Sequence, residues 1–315
     1  SAESNHILQN TSVGITTSMY PDNNSQESTN STFGHVNSVS SNGFQVDEGN
    51  SGEANANKNG QGYSAWVWKV NGGTTSTNSD GNGNDSTVQV NQTAGVSIAQ
   101  HSASSNGSGN TYGHGLGVTP GWMFTRARNR TENWWMWYQD RVTSGTVGSF
   151  SMDTNAAFNT SSTLINAPTS SVYSVGTDYG VNGTWNYINY IWAPIQGFSH
   201  FGQFYGNNSS GAANGTFVYC GFKPAWVWIK RRDNADHHFV WDNIMNPYNT
   251  SDYTFRVNES VNGGSDTAYK LDILSTGFRL KTTFSGLNNN GEAYMFAAFA
   301  ERPFVTSSGT PTVAR

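Results

Sequence analysis

Two stretches of the chain follow one plan: GVTPGWMFTRAR at 117–128 and GFKPAWVWIKRR at 221–232. Each reads Gly-x-x-Pro-x-Trp, then an apolar run, then basic residues. One displacement of 104 residues places Gly117 on Gly221, Pro120 on Pro224, Trp122 on Trp226, Phe124 on Trp228, Arg126 on Lys230, Arg128 on Arg232 and Trp137 on Trp241. Self-similarity at a fixed separation marks a repeated folding unit, and it constrains the architecture before any site is sought.

The likeness extends both ways. GVSIAQHS at 95 resembles GFSHFGQF at 197, and YINYIWAPIQGF at 187 resembles YMFAAFAERPF at 294, at displacements that differ slightly, as loop insertions require. Near the N-terminus only the later part of the pattern recurs: VSSNGFQV at 39–46 matches ILSTGFRL at 273–280, and GYSAWVWKV at 62–70 matches the Tyr-headed apolar runs. We therefore read an incomplete β unit at 1–72, a Gly/Ser/Asn linker at 73–85 expected to act as a hinge, full units at 86–196 and 197–304, and a tail at 305–315.

Composition sets the fold class. Only 12% of the 315 residues are charged, whereas 13% are aromatic, including 11 Trp, which argues against disorder. The polar bulk is Asn, Ser, Thr and Gly, residues that favour turns over helix interiors. Runs rich in Val, Ile, Tyr, Phe and Trp recur between Gly/Asn clusters, and no helical stripe is visible. The expected class is all-β: tandem antiparallel β-sandwich repeats, jelly-roll or lectin-like, of about 100 residues each.

Local signals refine this. Pro224 and Pro120 lack an N–H and belong at the start of the strands that follow them, before pairing begins. Gly277, ahead of Phe278 and Leu280, is expected to supply a backbone φ above zero. The runs AWVWI and AYMFAAFA do not alternate apolar with polar, so both faces of each strand are apolar. One face can fill the unit's own core, and the other needs cover from a neighbouring unit or chain, because contiguous apolar patches seldom face water. An assembly is expected, with Trp226, Trp228, Met295 and Phe296 on its interface strands.

Charge and chemistry narrow the function. The net charge is −5 and basic residues occur only in short groups, so the electrostatic footprint of a nucleic-acid groove is missing. No apolar run reaches a membrane span, and the start SAESNHILQN has neither an initiator Met nor a signal-peptide core, so we expect a soluble chain, processed or cut from something longer. Cys220, the one cysteine, reads as a small buried hydrophobe.

Asp233, Asp236, His237, His238 and Asp242 cluster, but a strand there points the two histidines to opposite faces, and the earlier copy has no histidine; no metal or other cofactor is expected. Acidic residues are few and scattered, and neither GNSSG at 206 nor GHGLG at 113 has the spacing and setting of a nucleophile elbow or phosphate loop; no enzymatic activity is expected.

The aromatic stretch NWWMWYQD offers a recognition surface instead. Trp137 recurs as Trp241 and reads as core, whereas Trp134, Trp135 and Tyr138 are candidates to stack on sugar rings. Asn-x-Ser/Thr sequons are numerous, and Asn30, Asn91, Asn159, Asn214 and Asn249 are candidate glycosylation sites if the chain matures where glycosylation occurs; otherwise they are polar turns.

The stretches GHGLGVTPGWMFTRAR, GFKPAWVWIKRRD, WDNIMNPYN, LSTGFRLKT and NNNGEAYMFAAFAERPF, between about 86 and 304, resemble a repeat domain of virion and tail-fibre proteins of tailed phages, especially those infecting cyanobacteria. The resemblance implies a non-enzymatic structural or adhesive part, a fibre segment that multimerises and contacts host surface glycans or a receptor, in the virion or outside the cell. The truncated first unit and the many sequons keep one alternative open, an extracellular filament subunit or glycosylated adhesin, and the aromatic stretch NWWMWYQD keeps a second, a carbohydrate-binding module.

Overall fold

The computed structural model describes residues 5–29, 31–49, 56–102, 109–139, 148–211 and 214–301. The chain is almost entirely β, as its composition requires. Its early strands are β1 (His35–Val39), β2 (Phe44–Asp47), β3 (Ser76–Asn78), β4 (Ser86–Asn91), β5 (Val96–Ser102), β6 (Asn110–Gly113), β7 (Trp122–Ala127), β8 (Trp135–Tyr138), β9 (Phe150–Ser151), β10 (Ile165–Asn166), β11 (Val172–Val175) and β12 (Asn186–Trp192). The later ones are β13 (Ser199–Tyr205), β14 (Phe217–Tyr219), β15 (Trp226–Arg231), β16 (His238–Asp242), β17 (Tyr253–Arg256), β18 (Gly264–Ser265), β19 (Leu271–Leu274), β20 (Gly277–Leu280) and β21 (Ala293–Phe299). Two one-turn helices, α1 (Tyr179–Asn182) and α2 (Ser285–Asn288), stand ahead of β12 and β21.

All strand pairs are antiparallel. The first large sheet has the order β3-β4-β5-β12-β7-β8-β9 and the second β13-β21-β15-β16-β17-β18. Their central strands correspond in order and register: Trp122 pairs with Trp192 and Tyr138, and Trp226 with Phe299 and Asp242. Each large sheet carries a three-stranded companion, β10-β11-β6 on the first and β14-β20-β19 on the second. Both prolines stand just ahead of pairing, since the amides of Gly121 and Ala225, one residue later, already donate to Trp192 and Phe299. The paired glycines upstream, Gly117 and Gly221, hold φ of 75° and 84°, a region open to Gly at no steric cost.

The apolar two-faced strands divide their side chains with period two between separate cores. On β15, Val227 and Ile229 face the small sheet of the second half, while Trp226 and Trp228 face the first large sheet. On β21, Tyr294, Phe296 and Ala298 fill the second half's own core, and Met295, Ala297 and Phe299 join Trp226. In the first half, Trp122, Phe124, Ile188, Tyr190 and Trp192 meet them from the opposite sheet, with Met123 and Ile191 turned the other way. The result is four sheet layers with an aromatic seam in the middle.

Cover by a neighbouring unit, one of the two expected arrangements, is what three of the four expected interface residues find, and the fourth departs from expectation. Trp226, Trp228 and Met295 are covered by the other large sheet of the same chain, and Phe296 belongs to its own half's core. The two faces are tethered at high effective concentration, so they meet each other rather than a neighbouring chain.

The described residues before β3 do not form a sandwich half; they strap the seam. The β1–β2 hairpin does reproduce the β19–β20 match. Outside it, Met19 is buried in the seam, Leu8 and Val13 pack beside it, and Trp68 closes its end, 5.4 Å from Phe299, 5.8 Å from Trp226 and 6.0 Å from Trp192 between ring centroids. The expected hinge at 73–85 is woven into the first half: β3 pairs with β4, and the Gly83 amide donates to Thr111. The tail at 305–315 lies outside the described residues.

Gly277 also differs from expectation, because its φ is not positive; a Cβ there would lie 2.0 Å from the Val218 carbonyl oxygen. Close approach of β14, not backbone handedness, requires the glycine.

Candidate functional site

The aromatic residues chosen from sequence do not form a sugar platform. Trp134 is fully buried, its indole N–H donates to the Tyr20 carbonyl at 2.8 Å, and the Arg126 guanidinium lies 4.8 Å from its ring centre. Tyr138 is fully buried and donates to Gln203 of the second half at 2.8 Å; Trp135 is half-buried. The strap covers Trp134, and no local pattern announces a cover supplied from 114 residues away. His238 turns inward, accepting from the Trp228 indole at 3.2 Å, while His237 lies 3.4 Å from Glu259 on the other side. Among the described residues no three His, Cys, Asp or Glu side chains converge to hold a metal, and no helix is long and apolar enough to cross a membrane.

The sequon asparagines differ in availability. The side-chain amides of Asn91 and Asn249 donate to the Lys69 and Ile273 carbonyls, whereas Asn159 and Asn214 are exposed; Asn30 lies outside the described residues. Cys220 is buried, which pushes its thiol up to about 12.

Buried polar groups serve packing. His101 is sandwiched between Tyr112, at 3.8 Å, and Tyr187, at 5.0 Å, with its Nδ1 2.7 Å from the Tyr173 hydroxyl. Burial lowers its pKa to about 3. The repeat partners Arg126 and Lys230 are both buried cations that grip backbone carbonyls: Arg126 those of Asn24 and Ser25 in the strap, Lys230 those of Asn155 and Asp236. Burial brings Lys230 down to about 8.

The halves diverge at one edge. In the first large sheet β5 lies between β12 and β4, and β4 packs Val88 beside Ala99 in the core. Among the described residues the corresponding strand β13 pairs with no strand but β21; Ile195 bridges its first residue, Ser199, and the connection 193–198 between β12 and β13 is too short to hold a counterpart of β4. Where β4 would sit, a groove of about 170 Å³ opens between β13 and β14. His200, Gly202 and Phe204 form one wall, Phe217 and Tyr219 the other, and Phe296 lines it between them. A Cβ on Gly202 would stand 3.3 Å from the Phe296 ring, so the glycine keeps that ring uncovered. Tyr219, Tyr205 and Phe217 remain 61%, 51% and 40% exposed at the rim.

A second exposed surface joins the strap to the loop after β16. The Trp66 indole donates to Asp242, and the Ser64 hydroxyl lies 3.0 Å from the Met245 sulfur. Tyr63, Trp66, Val67 and Ile244 on these two segments are exposed, as is Tyr248 further along the loop, by 80%. Its two sequence segments, GYSAWVWKV and WDNIMNPYN, stand far apart in the chain, so no local pattern joins them.

A family model described as Domain of unknown function (DUF7483) matches residues 1–303. No curated protein matches the chain. No solved structure matches it either.

Proposed function

The chain belongs to the DUF7483 family, and from that premise and its architecture we propose that it is a structural and adhesive building block of a phage virion, a tail-fibre or other fibre component made of tandem sandwich repeats. The observation that carries this reading is the aromatic seam. Trp122, Trp192, Trp226, Trp228 and Phe299 join two matching halves face to face, and a strap of Leu8, Met19 and Trp68 closes the joint. Such a joint resists relative motion of the halves, which suits a part that transmits force or holds spacing. Exposed rims at β13–β14 and around Trp66 supply surfaces for a neighbouring subunit and for a host glycan or receptor.

Negative-stain microscopy and analytical ultracentrifugation of the purified chain at micromolar concentration test the reading. Regular multimers support it; a monomer under all conditions, with no attachment to host cells, overturns it.

A glycan-binding role draws support from a different observation, the exposed rings of Tyr63, Trp66 and Tyr248 on the two segments that the Trp66–Asp242 hydrogen bond joins. The glycosylated-filament alternative rests on exposed Asn159 and Asn214, and an intact mass equal to the sequence mass dismisses it.

A further inference from the structure

We propose that β13 is an acceptor edge that takes an antiparallel strand from another protein chain, one with β-branched aliphatic residues at alternate positions. This deepens the building-block reading and rests on it for its purpose, though not for its chemistry. The argument begins with the backbone. The Ala300 amide donates to the Phe198 carbonyl, and in an antiparallel ladder the bonding direction alternates along the strand. His200, Gly202 and Phe204 therefore bond to β21, while Phe201 and Gln203 direct their N–H and C=O groups to the side on which, among the described residues, no strand pairs.

Proteins blunt such edges with charge, proline, bulges or very short strands. The sequence of β13, SHFGQFY, has none of these: it is seven residues long, in unbroken register with β21, and without Lys, Arg, Asp, Glu or Pro.

The chain itself shows what fits. On the corresponding edge β4 runs antiparallel to β5, with Val88 opposite Ala99 and both buried beside Tyr112 of the small sheet. Gly202 of β13 corresponds to Ala99, since each stands three residues after the first residue of its strand, and the groove beside it is where a residue in the place of Val88 would go. Backbone pairing would supply affinity, and the pocket above Phe296 would select a small branched side chain over a charged one.

The probe is a synthetic peptide carrying residues 84–93, NDSTVQVNQT, offered to the intact chain. Hydrogen exchange should find the Phe201 and Gln203 amides less protected in the free protein than Ile98 and Gln100 of β5, and slowed by about tenfold or more at saturating peptide. The same peptide with Val88→Asp and Val90→Asp should give no protection, and Gly202→Val in the protein should abolish binding by filling the seat. Because Gly202→Val presses on Phe296, the wild-type exchange pattern is the primary readout and needs no variant to fold. Amides of β13 already as slow as those of β5 would mean that the chain covers its own edge; no response to about 1 mM peptide would mean that the edge accepts no strand. Either result overturns the proposal, and neither bears on whether the chain multimerises by another surface.

Discussion

Trp122 of the first large sheet meets Trp228 of the second edge to face, with ring centroids 5.3 Å apart and planes at 78°. Trp122 also lies within 4.8 Å of Trp192 and 5.8 Å of Phe201, so one side chain touches both halves of the molecule. Edge-to-face and offset contacts of this kind add about 0.5–1.5 kcal/mol per pair beyond the burial of area.

Trp122→Ala should therefore cost about 3–5 kcal/mol, the range for a large aromatic deleted from a packed core. Guanidinium unfolding followed by near-ultraviolet circular dichroism is the check. The seam predicts one transition moved as a whole; two transitions with only one displaced would mean that the halves are energetically separate.

Stability should fall as the solution is acidified, in part through His101. Its folded pKa is depressed to about 3 by burial, so below the ordinary value of 6.5 the unfolded chain takes up a proton that the folded one refuses. The contribution is complete above pH 6.5 and drains away as pH falls towards 3, by at most about 1.4 kcal/mol per pH unit. Phe204 holds the corresponding place in β13, stacked on Tyr294 at 5.2 Å, so His101→Phe should remove this slope. At neutral pH the variant should lose about 1–3 kcal/mol, because the Tyr173 hydroxyl and the Asn189 amide lose a buried partner. Urea unfolding of both proteins from pH 7 to pH 4 compares the slopes, and equal slopes would refute the assignment.

Gly277→Ala tests close approach against backbone handedness. The added Cβ would fall 2.0 Å from the Val218 carbonyl oxygen, so β14 and β20 must part. A loss of about 1–3 kcal/mol, the usual scale of overpacking, is expected in the melting profile. A neutral or stabilised variant would show that β14 yields freely.

Glycan recognition, if present, should track exposed rings. Trp66→Ala combined with Tyr248→Ala should reduce any glycan-array signal while leaving the melting temperature within a few degrees of wild type. Trp134→Ala should do the opposite, lowering stability by about 3–5 kcal/mol through loss of a buried ring. Loss of glycan signal in a Trp134→Ala protein that melts normally would restore the original placement of the site.

Much of this fold was readable in one dimension. The recurring Gly-x-x-Pro-x-Trp predicted strands that begin just after Pro120 and Pro224, and β7 and β15 start two residues beyond them. The run AWVWI predicted a strand apolar on both faces, and Trp226 and Val227 do enter different cores. The site was less readable. Trp134 looked free because its counterpart in the repeat is not aromatic, yet its cover comes from Tyr20, a residue outside the repeat. Gly202 carries no local signal of its own in the sequence; only the lack of a second described strand beside β13 makes it the wall of a groove.

The sequence alone determined where strands form, where they start and which are apolar on both sides, because those properties follow from side-chain size, proline's missing N–H and the two-residue period of an extended backbone. Only the tertiary structure decided what covers the second face of each strand, which ring is sealed and which sheet edge stays open. Those outcomes depend on contacts between segments a hundred residues apart, and every apolar face competes for the same partners until the whole chain has chosen among them.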